Sequence, residues 1–421
     1  MRSSIPGTTT PPSHQWVPFP ALAPPATTIP DVDRADLAAT IEALAAIDRP
    51  STSDGERRAA EWLLDRFTAL GCQARIEEEP AYSSYWWTIG ALSALSALAG
   101  RLVLRGRRLL GLTGAFLAAA GIADEISNGP RPLRRLMLKQ GTTWNVVAEA
   151  GDPRADRTIV LLAHHDAPHS GAIFNPAPQK ALGKAFPDVV ENTDTAIPVW
   201  APVVGGPVLV ALGALLGSRR LAWFGKVLGL TSLAAMLDIA RSPAVPGAND
   251  NLSGVAALVG LAGRLESNPV EGIRVVLASC GAEEALQEGI RPFMKRHAPG
   301  LPKDQTWFLN FDTIGSPRLV MLEGEGPILM EDYPGDLRDL VADVAEEAGI
   351  ALRRGQRAKS STDSVIPARA GYSSACLTSF DQNKSLSNYH WPTDVPGNID
   401  YETVADAVAL GDLVIRRLAA R

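Results

Sequence analysis

The sequence predicts an α/β protein, a three-layer α/β/α sandwich around a largely parallel mixed central sheet, with two inserted apolar helical hairpins. Two observations predict this class. Short runs of β-branched and other apolar residues alternate with helical patterns, which is typical of a parallel sheet covered on both faces. Two pairs of apolar segments, in which Lys226 is the one charged residue, interrupt that alternation. A chain of 421 residues is long enough to bury the core of such a fold.

Composition predicts the domain boundaries. Residues 1–30 are rich in Pro, Thr and Ala and contain no apolar run of the kind found in a secretory signal, so we predict a disordered arm. Residues 31–421 are expected to form one domain, which is interrupted by apolar hairpins at 85–123 and 199–237.

Two amphipathic helices are predicted at the start of this domain. Apolar residues recur at three- and four-residue spacing in 35–47 and again in 53–71. Ser53 or Asp54 suits the N-cap of the second helix, and Gly71 suits its C-terminal stop. The stretch Q-A-R-I-E-E-E is expected to follow as a strand.

The two hairpins have the composition of membrane segments. The first pairs 85–100 with 109–123, and the second pairs 199–216 with 221–237. A bilayer core of ~30 Å needs about 20 helical residues, with about 17 as a lower limit, so these segments are at or just below the required length. Tryptophans near the segment ends resemble interfacial aromatics. We therefore expect an integral membrane protein with the lipid bilayer as a partner. A buried helical lid and an oligomer interface are the alternatives.

Basic residues give conflicting signals about membrane orientation. Arginines in the turns of both hairpins favour cytoplasmic turns. Further basic residues crowd the opposite end of the first hairpin: Arg131, Arg134, Arg135 and Lys139. The sequence therefore leaves open which side of the membrane the rest of the domain faces.

Five further strands are predicted in W-N-V-V-A-E-A, T-I-V-L-L-A, I-R-V-V-L-A-S, T-W-F-L-N-F and R-L-V-M-L-E. Three of them lead into residues of the type that bind metals. The second ends in His164, followed two positions later by Asp166; the third precedes Glu283-Glu284; and the fourth precedes Asp312. Because sites in such sheets form at the carboxyl ends of strands, we expect these side chains to converge on one edge.

Two other motifs add potential ligands. G-A-N-D-N-L-S-G places Asp250 just before a helix, and N-Y-H-W-P-T-D places His390 in a loop. Two imidazoles and three carboxylates suit two divalent ions, with zinc as the first choice. Three carboxylates and a bridging hydroxide balance the charge of two Zn²⁺, and that hydroxide is the expected nucleophile. The doublet Glu283-Glu284 supplies one acid as a ligand and one as a general base.

In this order, L-A-H-H-D, G-A-N-D-N-L-S-G, G-A-E-E, N-F-D-T-I-G and Y-H-W-P-T-D closely resemble the signature of metallopeptidase family 28, the co-catalytic two-zinc aminopeptidases. The resemblance runs from about Asp33 to the C-terminus, interrupted by the apolar hairpins. It implies two Zn²⁺ per chain, with Asp250 as the ligand that bridges them. The full ligand set that it implies is His164, Asp250, Glu284, Asp312 and His390.

The resemblance also implies three catalytic roles. Glu283 would be the general base that takes a proton from the attacking water and returns it to the leaving amine. Asp166 would orient His164 or its surroundings. Tyr389 would polarise the scissile carbonyl.

The family resemblance predicts a zinc-dependent aminopeptidase that acts on peptides with a free N-terminus. Two alternatives are a glutaminyl cyclase-like enzyme with one zinc and a catalytically inactive membrane receptor or scaffold on the same fold. Carboxypeptidase or dipeptidase specificity, the preferred substrate side chain and the oligomeric state stay open. A net charge of −6 without a long basic run argues against a nucleic-acid partner.

Several residues have simpler interpretations. His165 is expected to be structural, His169 either structural or at the pocket rim, and His297 a surface residue. Asp363 lies where the family often has Ser-Asp-His followed by an aromatic, but the His and the aromatic are absent here. The cysteines are too far apart in sequence for a disulfide framework, and we expect three buried, unpaired residues: Cys72, Cys280 and Cys376.

Overall fold

The computed structural model describes residues 31–195 and 200–421. The predicted arm at 1–30 lies outside the described residues. So does Val199, the first residue of the second predicted hairpin.

Within the described residues, a nine-stranded mixed sheet forms the centre of the fold, which confirms the predicted class. The strands are, in chain order, β1 (Gln73–Ala81), β2 (Gly141–Gly151), β3 (Thr158–His164), β4 (Arg274–Cys280), β5 (Thr306–Phe311), β6 (Arg318–Glu325), β7 (Glu331–Asp332), β8 (Arg353–Ala358) and β9 (Ser373–Phe380). Their spatial order is β1-β2-β4-β3-β5-β9-β6-β7, with β8 beside β6. The central strands β4, β3, β5 and β9 are parallel, and β2 and β6 flank them in antiparallel orientation.

The predicted strands correspond to β1 through β6, whereas β7, β8 and β9 were not predicted. The helices of the described residues are α1 (Arg34–Ala45), α2 (Asp54–Ala69), α3 (Trp86–Leu104), α4 (Arg108–Ile126), α5 (Pro132–Met137), α6 (Pro176–Ala185), α7 (Pro187–Asn192), α8 (Ala201–Leu216), α9 (Arg219–Ile239), α10 (Ser253–Ser267), α11 (Ile290–His297), α12 (Gly335–Ala348), α13 (Val365–Arg369) and α14 (Tyr401–Ala419).

Helices cover both faces of the sheet. In β3, Ile159 and Leu161 belong to a core with residues of α1, α10 and α14. Val160 and Leu162 belong to a separate core with residues of α11. Because successive side chains of a strand point to opposite faces, β3, which is apolar from Ile159 to Ala163, is buried on both sides.

The predicted limits of the second helix are confirmed. The Ser53 side chain accepts a hydrogen bond from the backbone N–H of Glu56, so Ser53 is the N-cap of α2. Gly71 follows the end of α2 with a φ of 74°. Glycine adopts this left-handed conformation at little cost, which explains why the helix ends there.

The two apolar hairpins, α3 with α4 and α8 with α9, pack together as one four-helix bundle. Their turns lie side by side, and Arg219 donates a hydrogen bond of 2.8 Å to the carbonyl oxygen of Leu104. Helices α3, α4 and α9 extend beyond the predicted apolar segments by a few residues. Among the described helices, these three are long and apolar enough to cross a membrane.

Small residues allow close contacts between the helices of this bundle, and large apolar side chains lie on its outer surface. Its interior contains small residues: a Cβ on Gly225 would lie 2.6 Å from the carbonyl oxygen of Gly206 on the neighbouring helix. Its outer surface carries large apolar side chains, with Leu98 53%, Phe116 67% and Phe224 55% exposed. Water-soluble bundles bury such side chains. Small residues between closely packed helices are typical of membrane bundles.

His297 is not a surface residue, which corrects the sequence-based expectation. Its side chain is only 19% exposed, and its Nε2 lies 2.8 Å from a carboxylate oxygen of Glu77 in β1. This contact joins the end of α11 to the sheet. The three cysteines are free and buried, as predicted.

Candidate metal centre

The five predicted ligand residues meet at the carboxyl edge of the parallel strands. His164 is the last residue of β3, and Glu284 and Asp312 follow β4 and β5. Asp250 lies in the turn before α10, and His390 lies in the loop before α14. All are buried except Glu284, which is half-buried. The sheet topology therefore gathers residues from five separate segments.

Asp250 occupies the centre of this group. Its Oδ1 lies 3.3 Å from Nε2 of His164, and its Oδ2 lies 3.2 Å from Nε2 of His390. The same nitrogen of His390 lies 3.3 Å from Oε2 of Glu284. Two clusters of potential ligands share Asp250: one with His164 and Asp312, the other with Glu284 and His390.

The separations between these atoms fit tetrahedral zinc. Ligand atoms bound at about 2.0–2.1 Å in a tetrahedron lie about 3.3 Å apart, and the nitrogen–oxygen distances in the centre are 3.2 and 3.3 Å. In each cluster all candidate ligand atoms lie within 4.8 Å of one another. Imidazole and carboxylate are both suitable ligands for zinc. The residues of each cluster therefore fit a divalent ion.

Buried negative charge exceeds positive charge in this centre. Burial, and then the charge of Asp250, raise the pKa of Glu284 to about 7 and that of Asp312 to about 6. Burial alone would lower the pKa of His390, but Glu284 and Asp250 raise it to about 10. These groups retain protons because cationic charge is scarce around them. Bound metal ions would supply that charge.

Asp166 contacts several candidate site residues. Its Oδ1 lies 3.3 Å from Nδ1 of His164 and accepts a hydrogen bond of 3.0 Å from the backbone N–H of Glu283. Its Oδ2 accepts hydrogen bonds from the N–H of Glu284 at 3.1 Å and from the hydroxyl of Ser51 at 2.7 Å. Although burial opposes it, the neighbouring imidazole of His164 and the hydrogen bond from Ser51 hold the pKa of Asp166 below its usual value. The charged carboxylate thus aligns both His164 and the glutamate doublet.

Two neighbours hold the turn that carries Asp250. Asp394 accepts hydrogen bonds from the backbone N–H groups of Asn249 and Asp250, at 2.7 and 3.1 Å. The side chain of Asn251 accepts a hydrogen bond of 2.9 Å from the N–H of Thr313, just beyond β5. The turn is therefore tied both to the loop of His390 and to the strand that precedes Asp312.

Glu283 faces the centre with one carboxylate oxygen. Its Oε2 lies 3.8 Å from Nε2 of His164. Its Oε1 accepts a hydrogen bond of 2.6 Å from the side-chain amide of Gln287. One oxygen is thus held by the protein, while the other is directed toward the candidate ligands, where a general base would be required.

Tyr389 packs over a candidate ligand. Its ring stacks on His390 with a centroid separation of 3.9 Å and an interplanar angle of 24°. Burial raises the pKa of its phenol well above the usual value, so the hydroxyl is protonated and able to donate a hydrogen bond. Tyr389 also lines the cavity described next.

A cavity of about 210 Å³ opens onto the candidate ligands. The apolar bundle forms part of its wall, with Trp200 and Val203 at the start of α8 and Met236 and Ile239 at the end of α9. The same end of the bundle packs on Leu286, close to the glutamate doublet. The hairpins therefore contribute directly to the site.

Three other residues noted in the sequence lie outside the ligand clusters of the described chain. His165 is fully buried, with Nδ1 3.0 Å from Oγ of Ser279, as expected for a structural residue. The ring of His169 packs on Trp86, and His169 is not part of the cavity wall in the described residues. Asp363 is buried beside the centre, where burial and the charge of Asp312 raise its pKa well above the usual value.

Sequence reasoning missed three residues that support the site: Asp394, Gln287 and Arg49. Asp394 is the last residue of the motif Y-H-W-P-T-D, so the motif that identified His390 also contained Asp394, but no role was predicted for it. Arg49 is fully buried and donates hydrogen bonds to the carbonyl oxygens of His165 and Gly247, at 2.8 and 2.9 Å. It joins the end of β3 to the Asp250 turn. No local pattern marks it, because its partners are backbone atoms of distant segments.

Comparison with family models yields one match, in which the model described as "Peptidase family M28" covers residues 233–411. The matched range includes Asp250, the glutamate doublet, Asp312 and His390, whereas His164 and Asp166 precede it. No curated protein sequence matches the chain.

Solved structures with a similar fold include zinc peptidases and cyclases. A glutaminyl cyclase from Bacteroides thetaiotaomicron bound to N-acetylhistamine has a TM-score of 0.57 at 14% identity, covering 92% of this chain and 99% of that chain. A leucine aminopeptidase precursor from the same organism has a TM-score of 0.56 at 14% identity, covering 92% and 98%. A Zn-dependent exopeptidase from Parabacteroides distasonis has a TM-score of 0.52 at 15% identity, covering 94% and 100%. At these identities the likeness shows a shared fold.

Proposed function

From the peptidase family M28 domain that this chain carries, we propose that the protein is a zinc-dependent exopeptidase, specifically an aminopeptidase that removes N-terminal residues from peptides. The observation that carries the proposal is the position of Asp250, whose two oxygens face His164 and His390 in separate ligand clusters. A shared carboxylate between two clusters favours two zinc ions per chain.

The proposed mechanism assigns a task to each neighbouring side chain. When bound, the zinc ions would supply Lewis acidity to the substrate carbonyl and lower the pKa of water in the site. Glu283 takes a proton from the attacking water through Oε2 and returns it to the leaving amine. Gln287 holds Oε1 of Glu283 during this transfer. The hydroxyl of Tyr389 donates a hydrogen bond to the oxygen on which negative charge develops.

The chemistry of the cavity supports a substrate with a free amine and an apolar first residue. The carboxylates at its inner end attract an α-ammonium group, which an internal peptide bond does not possess. The bundle side chains Val203, Met236 and Ile239 offer an apolar wall. Burying a leucine-sized side chain there would contribute about 1.5–3 kcal/mol to binding.

We further propose that the bundle spans a lipid bilayer. The large apolar side chains on the outer surface and the small residues at the helix contacts support this, as does the length of α3 and α4: 19 residues each rise about 28 Å, close to a bilayer core. Of the four basic residues that gave the conflicting orientation signal, Arg131 and Arg134 are buried in ion pairs with Glu288, which leaves only Arg135 and Lys139 exposed there. The exposed arginines at the turns then favour cytoplasmic turns, with the active site on the opposite side. These residues are Arg101, Arg105, Arg107, Arg108, Arg219 and Arg220.

Replacing Glu283 by Gln tests the proposed enzyme. The amide cannot accept the proton, so kcat should fall about 10²–10⁴-fold while zinc content is unchanged. Glu271→Gln, at an exposed position before β4, is the matched control and should retain full activity. Unchanged turnover in Glu283→Gln would show that the base is misassigned.

Metal content and substrate choice separate the alternatives. Two equivalents of zinc per chain support the peptidase, whereas one equivalent together with cyclisation of N-terminal glutamine supports a glutaminyl cyclase. Leucyl amides should be cleaved faster than N-acetylated or acidic analogues, with activity lost in chelator. Faster hydrolysis of N-blocked peptides would contradict the aminopeptidase assignment. Full zinc content without activity on any of these substrates would favour the catalytically inactive receptor or scaffold.

Cysteine labelling tests the membrane proposal, because the native cysteines are buried and give little background. In intact cells, a membrane-impermeant maleimide should label Arg154→Cys, because the Arg154 side chain is 94% exposed in the part of the domain outside the bundle. It should label Arg107→Cys at the hairpin turn only after permeabilisation. The reverse pattern would invert the proposed orientation, and equal labelling of both positions in intact cells would rule out a span.

A further inference from the structure

The end of the first hairpin reaches the candidate general base through two side-chain amides. Asn128 lies just beyond α4, and its Nδ2 donates a hydrogen bond of 2.8 Å to Oε1 of Gln287. Gln287 is only 2% exposed, and its Nε2 donates a hydrogen bond of 2.6 Å to Oε1 of Glu283. The hairpin and the glutamate are therefore connected by an unbroken chain of hydrogen bonds.

The surrounding groups determine the orientation of both amides. Arg131 and Arg291 donate hydrogen bonds to Oδ1 of Asn128, at 2.8 and 3.0 Å, so the Asn128 amide nitrogen faces Gln287. Oε1 of Gln287 also accepts from the hydroxyl of Ser361 at 3.1 Å, and Nε2 donates to the carbonyl of Ser361 at 2.8 Å. Reversing either amide would place like groups face to face.

The hydrogen bonds that link Asn128 to Glu283 all have the same donor-to-acceptor direction, from two guanidinium groups through two amides to a carboxylate. Each bond polarises the next, so the last one, to Glu283, is stronger than an isolated amide–carboxylate bond would be. It holds Oε1 on the side of Gln287 and leaves Oε2 toward His164. Without it, the carboxylate could rotate away from the position that proton transfer needs.

A second contact holds the same loop from the hairpin side. Arg134 is fully buried and donates hydrogen bonds to the carbonyl oxygen of Ala285 at 2.6 Å and to Glu288 at 3.2 Å. It also pairs with Glu125 in the last turn of α4. Ala285 through its backbone and Glu288 through its side chain thus attach the segment on both sides of Gln287 to the hairpin, which supports the position of the two amides.

We propose that Gln287 and Asn128 are positioning residues for Glu283, through which the end of the apolar hairpin holds the general base in its working orientation. This inference rests on the proposed peptidase function. It makes the hairpin a part of the catalytic apparatus in addition to any role in the membrane.

Two substitutions test the chain of hydrogen bonds. Gln287→Leu removes the donor to Glu283 at nearly constant size. Asn128→Asp keeps the size of the side chain and the acceptor for both arginines, but it lacks the N–H that Gln287 requires. We expect each to lower kcat about 10–100-fold, with KM and zinc content unchanged. The double variant should be no slower than Gln287→Leu alone, since both substitutions interrupt the same series of hydrogen bonds.

The control for the added charge is Asn268→Asp, at an exposed position beyond the end of α10, which should keep its kcat. Glu283→Gln is measured in parallel. If Glu283→Gln is inactive while Gln287→Leu and Asn128→Asp keep kcat within about twofold, the positioning inference is wrong and the proposed function stands. Lost zinc or a raised KM in both variants would also overturn it, because that result indicates a general structural role. Full activity of Glu283→Gln would instead refute the proposed function itself.

Discussion

Asp166 illustrates how one buried carboxylate organises a site at the scale of single residues. Three donors converge on it, the hydroxyl of Ser51 and the backbone N–H groups of Glu283 and Glu284, and Nδ1 of His164 lies 3.3 Å from its Oδ1. A carboxylate accepts at both oxygens, whereas a neutral amide accepts at only one. The position therefore requires Asp specifically.

Replacing Asp166 by Asn should lower kcat/KM about 10–100-fold and weaken zinc binding. The new amide nitrogen would face backbone N–H donors, leaving buried groups unsatisfied. Steady-state kinetics and zinc titration measure the two effects. Asp54→Asn, at a side chain that is 91% exposed, is the matched control and should change neither quantity. Wild-type kinetics in Asp166→Asn would show that the charge at this position is dispensable.

At the scale of elements, the close contact between α8 and α9 depends on glycine. Gly225 faces the backbone of α8, where a Cβ would lie 2.6 Å from the oxygen of Gly206 and 2.7 Å from the nitrogen of Val210. On the same helix pair, a Cβ at Gly205 would meet its nearest atom, in Leu228, at 3.7 Å, an ordinary contact. The two glycines therefore differ in packing although both are helical.

Substituting Gly225 by Ala should destabilise the bundle by about 1–3 kcal/mol, because the helices must separate to admit the methyl group. Gly205→Ala is the matched control. It should be neutral or stabilising by up to about 1 kcal/mol, since alanine is the better helix former. Thermal unfolding in detergent compares the two. Equal stability of both variants would mean that the helices do not pack this closely.

For the whole molecule, the buried charge of the candidate metal centre predicts how stability depends on pH without metal. Folding raises the pKa of Glu284 from 4.5 to about 7 and that of Asp312 from 3.8 to about 6. The folded state therefore binds more protons than the unfolded state between about pH 4 and 7. The stability that these two groups contribute therefore decreases as pH rises through that window. The raised pKa of His390 acts in the same direction.

Metal-free protein should accordingly have a higher Tm at pH 5.5 than at pH 7.5. Added zinc should abolish or reverse this difference, because the cations stabilise the deprotonated carboxylates and compete with protons. Melting curves at both pH values, with chelator and with zinc, provide the measurement. A chelated protein that is more stable at pH 7.5 would contradict the proposed charge balance.

Much of the fold was predictable because its signals are local. The buried strand β3 reads as an apolar run, and helix α2 begins and ends at residues that suit a cap and a stop. Strands β8 and β9 were missed. In β8 the charged sequence R-R-G-Q-R-A has no strand-like alternation, and its place is set by pairing with β6. Edge strands of this kind depend on their neighbours more than on their own residues.

The three-layer class and the identity of the residues that meet at the carboxyl edge of the sheet follow from patterns in the amino-acid sequence. Periodicity and strand-end motifs are short-range patterns, and parallel strands necessarily bring their ends together. Only the tertiary structure decided that the hairpins wall the cavity and that Asn128 reaches Glu283 through Gln287. Asn128 and Gln287 are 159 positions apart. A contact between two amides over that distance leaves no local pattern, because it exists only when separate elements pack together.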